Sequence, residues 1–261
     1  MLIVRSLVFA VLFRVVLTLI LIAMLPTLIL PRSAIFAMGK LWARISLWML
    51  DKICGLRVEF RGLHNLAGGA VIIAAKHQSA LETFALLPQF RDYTFVLKRD
   101  LTYIPLFGWY MLRAGQIAID RKTGAAALTQ VVKGTGEVLG EGRTVIIFPE
   151  GTRRPVGAPP DYKAGIARVY AGADAPCVPV ALNTGLFWPR RGLVCRPGRA
   201  VIEFLEPIPP GLDKRSFMMQ LQTRLEKATQ LLIDEALRDD PALGTIVTAE
   251  TAQGRTKLAG E

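Results

Sequence analysis

The chain has two histidines, His64 and His77, and His77 stands where a proton could be moved. It follows the apolar run 71–75, at the point where a strand would hand over to a helix. Open α/β sheets collect ligands at such carboxyl ends of strands, and a histidine there can act as a base near neutral pH. Glu82 comes five residues later. With Ser79 as helix N-cap, Glu82 takes the third helical position. Its carboxylate can then turn toward His77, hold one tautomer and stabilise the imidazolium. The same letters also spell a capping box, in which Glu82 bonds the Ser79 backbone amide. The spacing leaves both readings open.

Two further strings end strand-like runs. In Phe148-Pro149-Glu150-Gly151-Thr152-Arg153-Arg154, the proline stops a ladder and the glycine lets backbone approach a ligand. Thr152 and the arginines then supply donors suited to phosphate; an ordinary turn with solvated arginines fits as well. In Gly115-Gln-Ile-Ala-Ile-Asp120-Arg121, Arg121 can fork onto a phosphate or pair with a carboxylate. His64 falls in a glycine-bounded turn, residues 62–69, and reads as a surface loop residue.

Several chemistries are excluded. The three cysteines, Cys54, Cys177 and Cys195, form no Cys-x-x-Cys pair, so a structural zinc site has nothing to build with. Their scatter argues for a reducing compartment. There is no Gly-x-Ser-x-Gly elbow and no Walker A string. The glycine run 134–140 misses the dinucleotide fingerprint and follows no strand.

The elements that must position these residues follow from the hydrophobic pattern. Strand-like runs at 71–75, 93–97, 117–119, 144–148, 178–182 and 201–205 alternate with helical stretches at 81–90, 125–139 and 166–171. This predicts an α/β fold: a mixed, largely parallel sheet covered by helices on both faces. A last helix is predicted over 214–237, and the small polar residues from 239 to 261 read as a disordered tail. Ahead of the catalytic domain, 56–238, lies a segment 1–55 with five basic residues and no acid in its first 50. Its run 7–30 is nearly all apolar, and 33–50 has the pattern of a basic, aromatic-anchored interfacial helix. Two core-facing helices are the alternative. With 261 residues, 52% hydrophobic, 20% charged and a formal net charge of +11, the chain suits a membrane surface or an anionic ligand. Nucleic acid does not fit, because aromatics are scarce among the basic stretches.

Together the strings resemble the glycerolipid acyltransferase family, most closely its bacterial 1-acylglycerol-3-phosphate acyltransferases. The resemblance rests on His77-x4-Glu82, Ile119-Asp120-Arg121, Phe148 to Arg153, and Val178-Pro179-Val180, over residues 70–206. Two letters depart from the family: Glu82 replaces the commoner Asp, and Lys76 stands where Asn is usual. The resemblance implies acyl transfer from an acyl-CoA or acyl carrier protein thioester to the hydroxyl of a lysophospholipid, with no cofactor. His77 would be the base and Glu82 its orienter. Lys98, Arg121, Arg153 and Lys163 would hold the acceptor phosphate, and Glu150, Gly151 and Thr152 would line the substrate site. The same chemistry on another lyso-lipid, such as a lyso-aminolipid, and a non-enzymatic phospholipid-binding protein are the rival readings. Six basic residues against two acids over 32–61 put the catalytic domain on the cytoplasmic side of a bacterial inner membrane. A second basic stretch, Arg190, Arg191, Arg196 and Arg199, suits anionic lipid, an acidic carrier or plain solvent.

Overall fold

The computed structural model describes residues 1–66, 69–120 and 123–247. The first helices are α1 (Leu2–Ala23) and α2 (Arg32–Met49). They are followed by β1 (Leu56–Arg61), β2 (Ile72–Ala75), α3 (Leu81–Ala85), β3 (Tyr93–Lys98), α4 (Phe107–Arg113) and β4 (Ile117–Ile119). Then come α5 (Ala125–Gly140), β5 (Thr144–Ile147), α6 (Gly165–Ala171), β6 (Cys177–Leu182), α7 (Thr184–Phe187), β7 (Gly198–Phe204) and α8 (Lys214–Asp239).

The strands form one sheet in the order β1-β7-β6-β2-β5-β3-β4. Every pairing is parallel except that of β6 with β7. β2 shows why both faces are covered. All four of its residues are buried, and successive side chains point to opposite faces. Ile73 and Ala75 join a core with α1, α2, α3 and α4, whereas Ile72 and Ala74 join one with α5, α6 and most of α8. The fold is therefore the mixed, largely parallel α/β sheet read from the sequence.

Three parts of the chain differ from the expectation. β1 was not anticipated, although Leu56, Val58 and Phe60 alternate as a strand should. It lies at the sheet edge against β7, and Arg61 forks onto Glu235 of α8 at 2.8 and 2.7 Å. Order also continues past α8, where a tail was expected from 239. Pro241–Leu243 form a 3-10 turn, and Leu243 and Ile246 are buried in the same core as α1 and α2. Residues 248–261 of the expected tail lie outside the described residues. Finally, α1 and α2 do not form a separate unit. Phe9, Ile20, Ile35, Phe36 and Met49 sit in one core with the sheet. The outer side of α1 remains apolar and exposed, with Val4, Val11 and Leu19 among its open residues. α1 is long and apolar enough to cross a membrane, with 17% of its most apolar window buried.

Candidate active site

β2 ends at Ala75, and the two residues that follow carry the first part of the site. The Lys76 amide still donates to the β6 carbonyl of Val180 at 3.0 Å, so the strand ladder holds the backbone up to His77. The His77 carbonyl accepts from the Arg154 amide at 2.7 Å, and its amide donates to Glu150 Oε2 at 3.2 Å. The imidazole stacks on Phe148, centroids 4.1 Å apart. Backbone and ring are thus pinned from three directions.

His77 Nδ1 lies 2.8 Å from Glu82 Oε1. Glu82 is wholly buried. The same oxygen accepts from the amides of Gln78 (2.8 Å) and Ser79 (2.7 Å), and Oε2 accepts from the Thr184 hydroxyl at 2.8 Å. α3 is capped at Ala80 rather than Ser79, which puts Glu82 at the second helical position; Glu82 still bonds the Ser79 amide, as a capping glutamate bonds a backbone amide, and also faces the histidine. Buried carboxylates are retained when their oxygens are satisfied by donors. With Nδ1–H donating to Glu82, the basic lone pair falls on Nε2, the arrangement of a positioned general base.

Thr184 has no assignment from the sequence, and Phe148 has none as a partner of His77. Thr184 opens α7 directly after β6, the strand beside β2, so the topology brings it over Glu82. Gly185 makes this approach possible. A Cβ there would lie 2.6 Å from Val156 and 3.0 Å from Gln78, while its amide donates to Gln78 Oε1 at 3.1 Å. The available signal was the polar pair Asn183-Thr184 closing an otherwise apolar strand.

His77 opens onto a cavity of about 860 Å3. Its walls are largely apolar and come from both cores: Ile20, Phe36 and Trp42 on one side of the sheet, Val131 and Val169 on the other. Lys98, Gly151, Thr152 and Lys163 line it as well. Gly151 has φ +69°, a conformation that glycine adopts without strain, and this turns the chain at the end of β5. Both lysines are on the rim, more than half exposed. Lys98 pairs with Asp100, and Lys163 with both oxygens of Asp161 at 2.9 Å. Arg153 is half-buried next to the exposed Thr152. Arg121 lies outside the described residues.

Glu150 departs from its expected place as a substrate ligand. It lines the cavity but is only 1% exposed. Its Oε2 holds the His77 amide, and its Oε1 accepts from Lys76 Nζ at 2.7 Å. Lys76, 4% exposed, also donates to Glu226 Oε1 of α8 at 2.8 Å. The alternative nucleophiles are not poised for attack. Burial pushes the Cys177 thiol well above its usual range, and the buried Ser79 hydroxyl accepts from the Leu81 amide at 3.1 Å.

A family model described as acyltransferase matches residues 57–183. Through that stretch, just under half of its length, the chain is similar to the acyltransferase family. A 1-acyl-sn-glycerol-3-phosphate acyltransferase of Pseudomonas aeruginosa is 41% identical over 157 residues, which is 60% of this chain and 61% of that protein. One from Saccharomyces cerevisiae is 33% identical over 171 residues, 64% of this chain and 56% of that protein. The match therefore spans less than two thirds of these relatives. Among solved structures, the 1-acyl-sn-glycerophosphate (LPA) acyltransferase PlsC of Thermotoga maritima superposes with a TM-score of 0.72, over 89% of this chain and 98% of that one, at 20% identity. The acyltransferase match begins within β1 and ends after β6, so it contains His77, Glu82 and Glu150 and excludes α1 and α2.

Proposed function

We propose that the protein transfers an acyl group from an acyl-CoA or acyl carrier protein thioester to the 2-hydroxyl of 1-acylglycerol-3-phosphate, giving phosphatidic acid. One observation carries the reading: a His77–Glu82 pair at 2.8 Å, its carboxylate wholly buried, opens onto a largely apolar cavity with cations at its rim. His77 Nε2 takes the proton of the acceptor hydroxyl as its oxygen attacks the thioester carbonyl. The tetrahedral centre then expels the thiolate, which recovers that proton from the imidazolium. Glu82 holds the tautomer and balances the charge. A positioned base contributes roughly 10²–10⁴ in rate, and the rest comes from holding two substrates together. A thioester is already activated, so no covalent acyl-enzyme and no cofactor is required. Lys98, Lys163, Arg153 and Arg121 are the phosphate ligands in this reading.

Both lipids of the reaction live in a bilayer, and the exposed apolar side of α1 suits that phase. The charge bias supports a position on the cytoplasmic face of the inner membrane. Deleting residues 1–50 would strip Phe9 and Phe36 from the core, so membrane binding is tested on the outer surface instead. Val4→Lys/Val11→Lys should fold and turn over detergent-dispersed substrate normally yet leave the membrane fraction. If the variant stays bound after a salt wash, the anchor is elsewhere.

The deciding experiment assays purified protein with lyso-acceptors bearing phosphate, choline phosphate or an aminoacyl head, each with both thioester donors. Turnover of 1-acylglycerol-3-phosphate at least tenfold above the others is expected. Preference for another head would move the activity to that acceptor.

A further inference from the structure

Lys76 is a buried cation immediately before the base, at a position where the family that the sequence resembles usually has Asn. Its ammonium bridges two carboxylates, Glu150 at the end of β5 and Glu226 on α8, at 2.7 and 2.8 Å. Tyr162 joins from below. Its hydroxyl donates to the same Glu226 oxygen at 2.5 Å, and its ring centroid lies 5.3 Å from Nζ. Burial, reinforced by Glu226, pushes the Tyr162 hydroxyl far above its usual range, so it remains a donor.

The second oxygen of Glu150 accepts from the His77 amide. An unbroken polar chain therefore runs from α8 through Glu226, Lys76 and Glu150 to the backbone of the base. Neighbouring strand residues point to opposite faces. His77 lines the cavity and Lys76 does not. We infer that Lys76 is a positioning residue, acting through Glu150 to fix the His77 backbone and never touching substrate. The inference rests on the proposed role of His77 as base.

The physical need is specific. At 1% exposure, Glu150 has little solvent to offset its charge, and the Lys76 ammonium at 2.7 Å takes that place. Remove the ammonium, and Glu150 and Glu226 are like charges sharing one site, where they repel each other. Glu150 would then swing away from Glu226, and the His77 amide would lose its partner. Misplacing a base by about 1 Å costs on the order of 100-fold in rate.

Steady-state kinetics of four purified variants, normalised to folded protein by circular dichroism, test this. Lys76→Met should lose about 10–100-fold in kcat, with both KM values within about twofold of wild type. Lys76→Met/Glu150→Gln removes the stranded charge while the amide oxygen still accepts from His77. It should regain roughly five- to tenfold in kcat over Lys76→Met and stay below wild type. Lys76→Arg should stay within about threefold of wild type, because it keeps a buried cation. His77→Ala should be inactive, and activity there would overturn the base assignment itself. With His77→Ala inactive, a Lys76→Met enzyme of wild-type kcat overturns only the positioning role. A raised acceptor KM at unchanged kcat overturns it too, because Lys76 would then bind substrate. Should Lys76→Met fail to fold, the double variant carries the test, and wild-type kcat there overturns the inference.

Discussion

His77 and the rim lysines line one cavity, yet they are held in opposite ways. The atoms that support His77 are committed within the chain: Glu82 accepts from His77, Gln78, Ser79 and Thr184, and Glu150 from His77 and Lys76. Lys98 and Lys163 instead rest on near neighbours in sequence, Asp100 and Asp161, in solvent. Such exposed pairs are worth about 0–1 kcal/mol, so an arriving anion displaces them at little cost. In the proposed reading, the base is built before substrate comes, whereas the phosphate site is completed by the substrate.

The comparison breaks most visibly at His77. His77→Ala should leave a folded, membrane-bound protein with less than a few per cent of wild-type turnover; sustained turnover would remove the base from the mechanism. Glu82 sharpens it next. Glu82→Gln keeps an acceptor for the Gln78 and Ser79 amides but has no charge for the imidazolium. It should melt near wild type and lose most of kcat. Glu82→Ala strands two buried amides and should also lose about 1–3 kcal/mol of stability. If the Gln variant is fully active, Glu82 is a helix cap alone. Thr184→Val comes third. It removes the donor to Glu82 Oε2 and should lower kcat several-fold, with a stability cost of about 1–2 kcal/mol. Equal kcat values for wild type and Thr184→Val would take the hydroxyl out of the relay. The rim gives the smallest effect. Lys163→Ala should raise acceptor KM about tenfold, from one charge-assisted contact of about 1.5 kcal/mol, while kcat and melting stay put. A kcat loss there would mean that the rim is as organised as the base.

This division also governs what could be read from the letters. The base and its carboxylate were legible because they are close in sequence and follow an apolar run. The sheet was legible because its strands are short and nearly all apolar, as buried parallel strands are. β1 was passed over because it is half exposed, and its Arg57, Glu59 and Arg61 mask the alternation. Thr184, 102 residues from Glu82 in the chain, meets it only because β6 lies next to β2. The bracing role of Glu150 was hidden for a related reason. A carboxylate in a recognised string invites a ligand's role, and only burial and the Lys76 ammonium reveal a brace.

The N-terminal helices close their contacts with parts of the chain made much later. The Ser6 hydroxyl meets the Cys195 backbone, 189 residues away, and Phe9 and Phe13 pack edge-on against Trp188. A ribosome adds about 5–20 residues each second. α1 therefore exists for roughly 10–40 s before the segment that covers its inner side has been synthesised. Throughout that interval the helix, nearly all apolar apart from Arg5 and Arg14, has its inner face uncovered by the sheet, and whichever apolar phase is nearest during synthesis meets it before the sheet does.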